Sequence, residues 1–327
     1  MTQMLLAGDI GGTKTLLGLF DAVHGRPVQV AIREFATIAS ADPLTMIAEF
    51  ATAAGVTNSI RTACFGIAGP VTGSVGHLTN VPWRFDANEI ARVCMIPRVA
   101  ILNDLVAMAH AVPHLRGDDL HTLQRGTPDG SGNIAVIAAG TGLGQALLHN
   151  VDGCYIPSPG EGGHADFAAR NEREVAVMRD LTGRFGRASV EHILSGRGLE
   201  NVHRVTHQGR CLATDRSDPP DAPVISAAAL SRTCPDCVEA LEIFVEVYGA
   251  EAGNHALRSL ATGGVFIGGG IAPKILPALT DGRFMRTFRA KPPHVELLSE
   301  MPVHVILSSD AGLIGAAVHA AAIVAGL

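Results

Sequence analysis

The sequence predicts an α/β protein built as two domains. Apolar runs that end in glycine turns alternate with helical patterns, 37 glycines accompany only 4% aromatic residues, and 327 residues exceed the ~100–200 of one ordinary domain. A hydrophobic content of 47% argues against a disordered chain. The formal net charge of -6 argues against a nucleic-acid surface, which needs clustered Lys and Arg to displace counterions. An anionic ligand would therefore need local help.

Taken in order, Met4 to Ile10 is an apolar strand, Gly11-Gly12-Thr13 turns the chain, and Thr15 to Phe20 returns it as a hairpin. Val28 to Phe35 offers a third strand, Pro43 to Ala54 a helix, and Thr62 to Ala68 a buried strand stopped by Gly69-Pro70. Asp86 to Val93 reads as a short helix before the strand Val99 to Leu102, and Val106 to Val112 as the helix after it. The breaker-rich stretch Gln124 to Asn133 is a connection. Beyond it the opening recurs. Ile134 to Ala139 is apolar, Gly140 to Gly144 turns, and Ala146 to His149 resumes as a strand, so a second glycine-tipped hairpin opens a second half. Helices are predicted over Glu172 to Thr182 and over Ser189 to Leu194, the latter capped by Ser189. Asp215 to Pro223 is predicted as an exposed loop. A long helix from Cys237 to Leu260 precedes the strand Val265 to Ile267, the turn Gly268-Gly269-Gly270 and a helix over Ile271 to Leu279. Val303 to Leu307 is the last strand, and Ala311 to Leu327, too short for a membrane span, is a packed terminal helix.

Six scattered cysteines show no disulfide framework and read as reduced thiols of a cytosolic protein. Cys234-Pro235-Asp236-Cys237 has the spacing of half a metal site, but with no second pair in the sequence it reads as two ordinary thiols. Met1 to Leu6 lacks the basic and apolar regions of a signal peptide.

Chemistry concentrates at the glycine turns. Turns at Gly11-Gly12, at Gly140-Thr141-Gly142 and at Gly268-Gly269-Gly270 each follow an apolar strand, where backbone N–H groups can approach phosphate oxygens closely. Any one of them is as readily a tight hairpin. The first comes near a phosphate-loop pattern, but Thr13 stands where that pattern needs glycine and a strand follows instead of a helix. The second lacks the third glycine of a dinucleotide fingerprint, Leu147 holding that position. Asp9, just before the first tip, can hold a magnesium ion through water or cap its own turn. Asn103-Asp104 ends an apolar strand ahead of a helix, so the pair is either a helix cap or a ligand-facing amide and catalytic base. Ser158 to His164 is a glycine-loosened loop carrying Glu161 and His164, which suit the hydroxyls of a sugar, and Glu191 adds an acceptor or a solvated charge.

In their joint order these residues resemble the bacterial glucokinases of the hexokinase, actin and Hsp70 superfamily, over nearly the full chain. The resemblance rests on Asp9-Ile10-Gly11-Gly12-Thr13, Leu78 to Trp83, Leu102-Asn103-Asp104, Gly140 to Gly144, Glu161 to Phe167, Glu191 with Leu194-Ser195-Gly196, and Gly268 to Ile271. It implies two ribonuclease-H-like domains about a central cleft: a small one over residues 1–113 and 309–327, and a large one over residues 114–308 that carries the sugar loop and the nucleotide. It implies that Asn103, Asp104, Glu161, His164 and Glu191 bind glucose, with Asp104 as general base. It also implies ATP and Mg2+ at Asp9, Gly11, Gly12, Thr13, Gly140, Thr141, Gly142, Gly268, Gly269 and Gly270, and a cytoplasmic homodimer that binds neither nucleic acid nor membrane.

The match has departures. Lys14 is the form seen in the related ROK sugar kinases and repressors, yet the cysteine-rich zinc motif those relatives carry does not follow His164. The extra Pro159-Gly160 bears on sugar specificity. Kinases for mannose, fructose or an N-acetylhexosamine, a polyphosphate-using glucokinase, and a non-catalytic sugar sensor are the alternatives; the sensor reading loses ground because no helix-turn-helix precedes Met4 and Asp104 is intact.

Overall fold

The computed structural model describes residues 4–23, 25–56, 59–79, 81–207, 211–213 and 219–326. Met1–Gln3, Asn80 of the Leu78 to Trp83 motif, and residues 215–218 of the predicted acidic loop lie outside these. The chain divides into two compact units, residues 1–117 with 308–327 and residues 118–307.

The first unit opens with β1 (Met4–Ile10), β2 (Lys14–Asp21) and β3 (Val28–Ala36), followed by α1 (Pro43–Ala53) and β4 (Ile60–Ile67). Three short strands, β5 (Val71–Thr72), β6 (Val75–His77) and β7 (Arg84–Asp86), form a small sheet of their own before α2 (Ala87–Cys94), β8 (Arg98–Asn103) and α3 (Asp104–Ala111). The main sheet runs β3-β2-β1-β4-β8, with β1 antiparallel to β2 and parallel to β4, and β4 parallel to β8. Alternation along β1 sorts side chains to two cores. Leu6 and Ile10 pack with Met46, Ile47 and Phe50 of α1 and Ile90 of α2, whereas Leu5 and Ala7 pack with Leu313, Ala316 and Ala317 of the terminal helix. A strand buried on both faces has no polar side to show, which is why it reads as a continuous apolar run.

The second unit holds β9 (Leu120–Gln124), β10 (Ile134–Ala139), β11 (Leu143–Val151), β12 (Cys154–Gly160), α4 (Glu172–Phe185), α5 (Gly196–Thr206), α6 (Ala222–Leu230) and α7 (Pro235–Ser259). It continues with β13 (Gly264–Gly268), α8 (Leu276–Leu279), α9 (Arg283–Arg289), α10 (Val295–Glu300) and β14 (Val303–Ile306); α11 (Ala311–Ala325) then returns to the first unit. Its sheet runs β12-β11-β10-β13-β14-β9, so five strands repeat the order and polarity of the first sheet and β9 pairs antiparallel at the added edge. The recurrence of the glycine-tipped hairpin is thus a repeat of a whole sheet. Gly249 and Gly253 inside α7 let α9 lie close, since a Cβ at either would meet Phe284 O at 2.2 Å or Phe288 O at 2.5 Å. Among the described residues no helix is long and apolar enough to cross a membrane.

Four local expectations are corrected. Ser189 to Leu194 is not a helix: Ser189 bridges Asp166 in an extended conformation, and Val190 and Glu191 donate to Ala165 O and Gly163 O at 3.0 and 2.8 Å, which leaves one turn. The helix starts later, with the Ser195 hydroxyl capping α5 at Gly198 N. Ser158 to Gly160 belongs to β12, and only Gly162–His164 departs as a short 3-10 helix. Ala222 and Pro223 open α6, capped by Asp221, instead of closing a loop. Over Ile271 to Leu279 the helix is split into a 3-10 segment, Ala272–Ile275, and α8, because Pro273 and Pro277 have no N–H for the helical ladder.

Candidate active site

In the first unit the parallel register sets the carboxyl ends of three strands side by side, Asp9 opposite Gly66 and Ile67 opposite Asn103. Ligands of α/β sheets bind beyond such strand ends. Asn103 begins α3 in extended conformation, its Oδ1 accepting from Leu105 N at 3.0 Å and its Nδ2 donating to Gly69 O at 3.2 Å. The cap reading of Asn103 therefore holds, and the second tie fixes where its amide points. Asp104 Oδ1 accepts from the same Leu105 N at 2.9 Å.

Asp9 lies over the first turn of α11, where a Cβ on Gly312 would stand 2.7 Å from its Oδ2. Burial, then the charges of Asp104 and Asp310, push the Asp9 carboxyl up to about 7, while Lys14 pulls it down. Three carboxylates in one neighbourhood are a donor set of the hard oxygen type that magnesium takes, and a divalent cation would offset their repulsion. The residues present therefore fit the metal. Asp310, between the last strand and the terminal helix and absent from the sequence candidates, joins this group.

The first glycine tip is a tight turn, Gly11 N donating to Lys14 O at 2.9 Å, and it is held from the side by Thr37, whose hydroxyl donates to Gly11 O at 2.8 Å and whose N–H donates to Thr13 O at 2.9 Å. Thr13 is exposed and Gly12 half-buried. Lys14 makes a surface ion pair with Glu34 at 2.7 Å.

The second unit gathers the remaining candidates. The Gly140-Thr141-Gly142 turn closes through Gly140 N to Gly142 O at 2.8 Å, with Thr141 exposed at its tip. Glu191 sits directly behind it: its Oε2 accepts from Leu143 N at 2.8 Å and would be 2.6 Å from a Cβ on Gly142. The other Glu191 oxygen lies 4.0 Å from His164 Nδ1, and His164 Nε2 lies 3.8 Å from Glu161 Oε2, so the imidazole stands between two carboxylates. Glu161 is 90% exposed and His164 60%, hence open to a ligand. Gly162 and Gly163 are needed for this approach, because a Cβ would strike Gln145 Oε1 at 2.1 Å or Leu143 O at 2.2 Å.

The Gly268-Gly269-Gly270 turn is fastened to the second turn. Gly269 has φ +83°, its Cβ position is filled by Ala139 O at 2.2 Å, and Ile271 N donates to that same oxygen at 3.2 Å. Tyr248, fully buried, accepts from Ala139 N at 3.2 Å, and its hydroxyl donates towards Gly268 O at 3.3 Å. A hollow of about 740 Å³ in this unit, lined by residues including His121, Met285 and Arg289, contains none of the candidates.

The structure thus brings Asp9, the first glycine tip and Asn103-Asp104 together in one unit, and Glu161, His164, Glu191 and two glycine turns together in the other. A repeated α/β sheet with glycine turns and carboxylates at its strand ends is the architecture of a sugar kinase of the actin and hexokinase type. The chain belongs to the glucokinase family, whose model matches residues 6–323. It is 37% identical over 338 residues to the glucokinase of Nostoc punctiforme, covering 97% of this chain and 99% of that one. The crystal structure of glucokinase from an Antarctic psychrotroph is similar with a TM-score of 0.88 at 28% identity, covering 98% and 99% of the two chains. The fold also extends to a ROK family glucokinase from Streptomyces griseus, solved in complex with glucose and AMPPNP, at TM-score 0.63 and 22% identity over 97% and 99% of the chains.

Proposed function

We propose that this glucokinase-family enzyme transfers the γ-phosphoryl group of ATP to the 6-hydroxyl of glucose, with Asp104 as the general base. The observation that carries the assignment is the register that sets Asp9 and the Asn103-Asp104 junction at the carboxyl ends of β1 and β8, the two strands that flank β4, the one just before the first glycine turn and the other at a helix start. Asn103, fixed by its two hydrogen bonds, holds the sugar beside Asp104. Glu161, His164 and Glu191 bind further hydroxyls, the paired acceptors and the imidazole suiting neighbouring donors on one ring. The N–H groups at Gly12 and Thr13 and at Thr141 and Gly142 stabilise charge on the phosphates, Gly11 and Gly140 closing the two turns that present them, with adenosine at Gly268, Gly269 and Gly270.

Asp9 would help hold magnesium, which when bound would neutralise charge on the phosphates. Phosphoryl transfer otherwise asks the chain for positioning and for a carboxylate to take the hydroxyl proton. None of the six cysteines is paired in a disulfide, which fits our assignment of the enzyme to the cytoplasm. We assign it as a homodimer, for which sedimentation is the test.

Asp104→Asn tests the base. A general base contributes ~10²- to 10⁴-fold, or roughly 3–5 kcal/mol of barrier. Turnover in a coupled assay should fall by that factor while calorimetric glucose affinity stays near that of the parent; undiminished turnover would remove Asp104 from the role. The same assay run over glucose, mannose, fructose and N-acetylglucosamine against ATP, ADP and polyphosphate tests the substrate pair.

A further inference from the structure

The end of α5, the segment after it and the start of α7 bring four soft donors together. His203, Cys211 and Cys237 present donor atoms that all lie within 4.8 Å of one another, and all three residues are buried. Cys211 Sγ is 3.5 Å from His203 Nε2, 3.9 Å from Cys237 Sγ and 3.9 Å from Cys234 Sγ. Cys234, fully buried, is in side-chain contact with Cys237 as well. Sulfurs 3.9 Å apart are not disulfide-bonded, a bond that needs ~2.05 Å. They match a different spacing. Tetrahedral zinc, with Zn–S of about 2.3 Å and Zn–N of about 2.0 Å, sets its ligand atoms roughly 3.8 Å apart between sulfurs and roughly 3.5 Å apart between sulfur and nitrogen.

We propose that His203, Cys211, Cys234 and Cys237 form a structural zinc site that staples the connection between α5 and α6 to the amino terminus of α7. Three thiolates and one imidazole are a closed, soft donor set that selects zinc over magnesium or calcium. Cys234 occupies the N-cap position of α7 and Cys237 its first turn, so both thiolates gain from the free N–H groups and the positive end of the helix. Outer contacts fix the ligands. Thr206 Oγ1 donates to Asp236 O at 3.0 Å, His207 Nδ1 lies 3.3 Å from Asp236 Oδ2, and the His207 ring stacks on His203 with centroids 5.1 Å apart. The sequence showed only the Cys234 to Cys237 half of this arrangement, which is why it read as ordinary thiols. The site uses neither His164 nor the residues immediately after it.

The test is metal analysis of the tag-free full-length protein after incubation with zinc and desalting. We expect about one zinc per chain in the parent and in Cys154→Ser, whose thiol is exposed elsewhere, and less than about 0.1 in Cys211→Ser and Cys234→Ser. Should those variants fail to fold, cobalt loading of the parent decides: a tetrahedral thiolate site gives intense visible ligand-field bands and a thiolate-to-cobalt charge-transfer band. Zinc below about 0.1 per chain in the parent with a featureless cobalt spectrum, full zinc in Cys211→Ser, or a disulfide among Cys211, Cys234 and Cys237 in the mass spectrum would each overturn the proposal.

Discussion

At the scale of single residues, the side chains that support the chemistry are as informative as those proposed to perform it. Tyr248 reaches from α7 to satisfy the N–H of Ala139, the last residue before the second glycine turn, and approaches Gly268 O, where the third turn begins. Tyr248→Phe keeps the ring in its pocket and strands that buried N–H, at a cost of ~1–3 kcal/mol. Because both turns are proposed to face the nucleotide, the variant should raise the KM for ATP more than the KM for glucose, and urea unfolding should register the lost stability. Equal effects on both substrates would mean that Tyr248 supports the core and not the turns. Neither Tyr248 nor Asp310 was legible as a site residue, since each acts on a partner more than a hundred positions away in the chain. The glycine tips and Asn103-Asp104 were legible because each is a local break in an apolar strand, and a break that exposes polar groups at a strand end is visible in a few consecutive letters.

At the scale of elements, close approach decides which glycines matter. Where α11 crosses α3, a Cβ on Gly315 would stand 1.6 Å from Ala107 O and 2.9 Å from Ala111 N, backbone atoms that cannot turn aside. Gly315→Ala should therefore force the helices apart, costing at least ~1–3 kcal/mol and lowering the melting midpoint by roughly 5 °C. Gly183, exposed in the last turn of α4 with nothing within 4 Å of its would-be Cβ, is the contrast. Gly183→Ala should instead stabilise the protein by roughly 0.5–1 kcal/mol, since alanine loses less backbone entropy in a helix. Paired calorimetric scans settle both, and equal shifts would refute the packing argument. The same distinction governs what the sequence revealed about elements. The β1–β2 and β10–β11 hairpins read clearly, because burial on two faces leaves long apolar runs. The small β5-β6-β7 sheet and the single turn at Glu191 did not, because strands of two or three residues carry no period and the Glu191 turn is fixed by bonds to Gly163 and Ala165 from another segment.

Across the whole molecule, buried histidines set a pH dependence that no local motif announces. His110 is pushed down to about 3, by burial first and then by His319 and His114, and its ring lies 4.6 Å from that of His319 between α3 and α11. Burial also lowers His319, His255 and His304. A histidine whose folded pKa lies below its unfolded value of ~6.5 stays neutral in the native chain while the unfolded chain takes up a proton, so its contribution is present above that pH and lost as pH falls through the window. Asp9, raised to about 7, acts in the opposite sense: its contribution is complete below the ordinary carboxylate range and is lost as pH rises towards 7. Net acid sensitivity therefore depends on which set prevails, and the histidines, spread over both units, outnumber the carboxylate. His110→Gln isolates one member, since the rest of the titration is common to both proteins. Comparing urea midpoints at about pH 7 and about pH 4.5, the parent should lose more stability on acidification than the variant, by an amount of the order of a few kcal/mol. An identical loss in the two proteins would mean that His110 is solvated well enough to protonate in the folded state, and that the α3–α11 seam is looser than its packing implies.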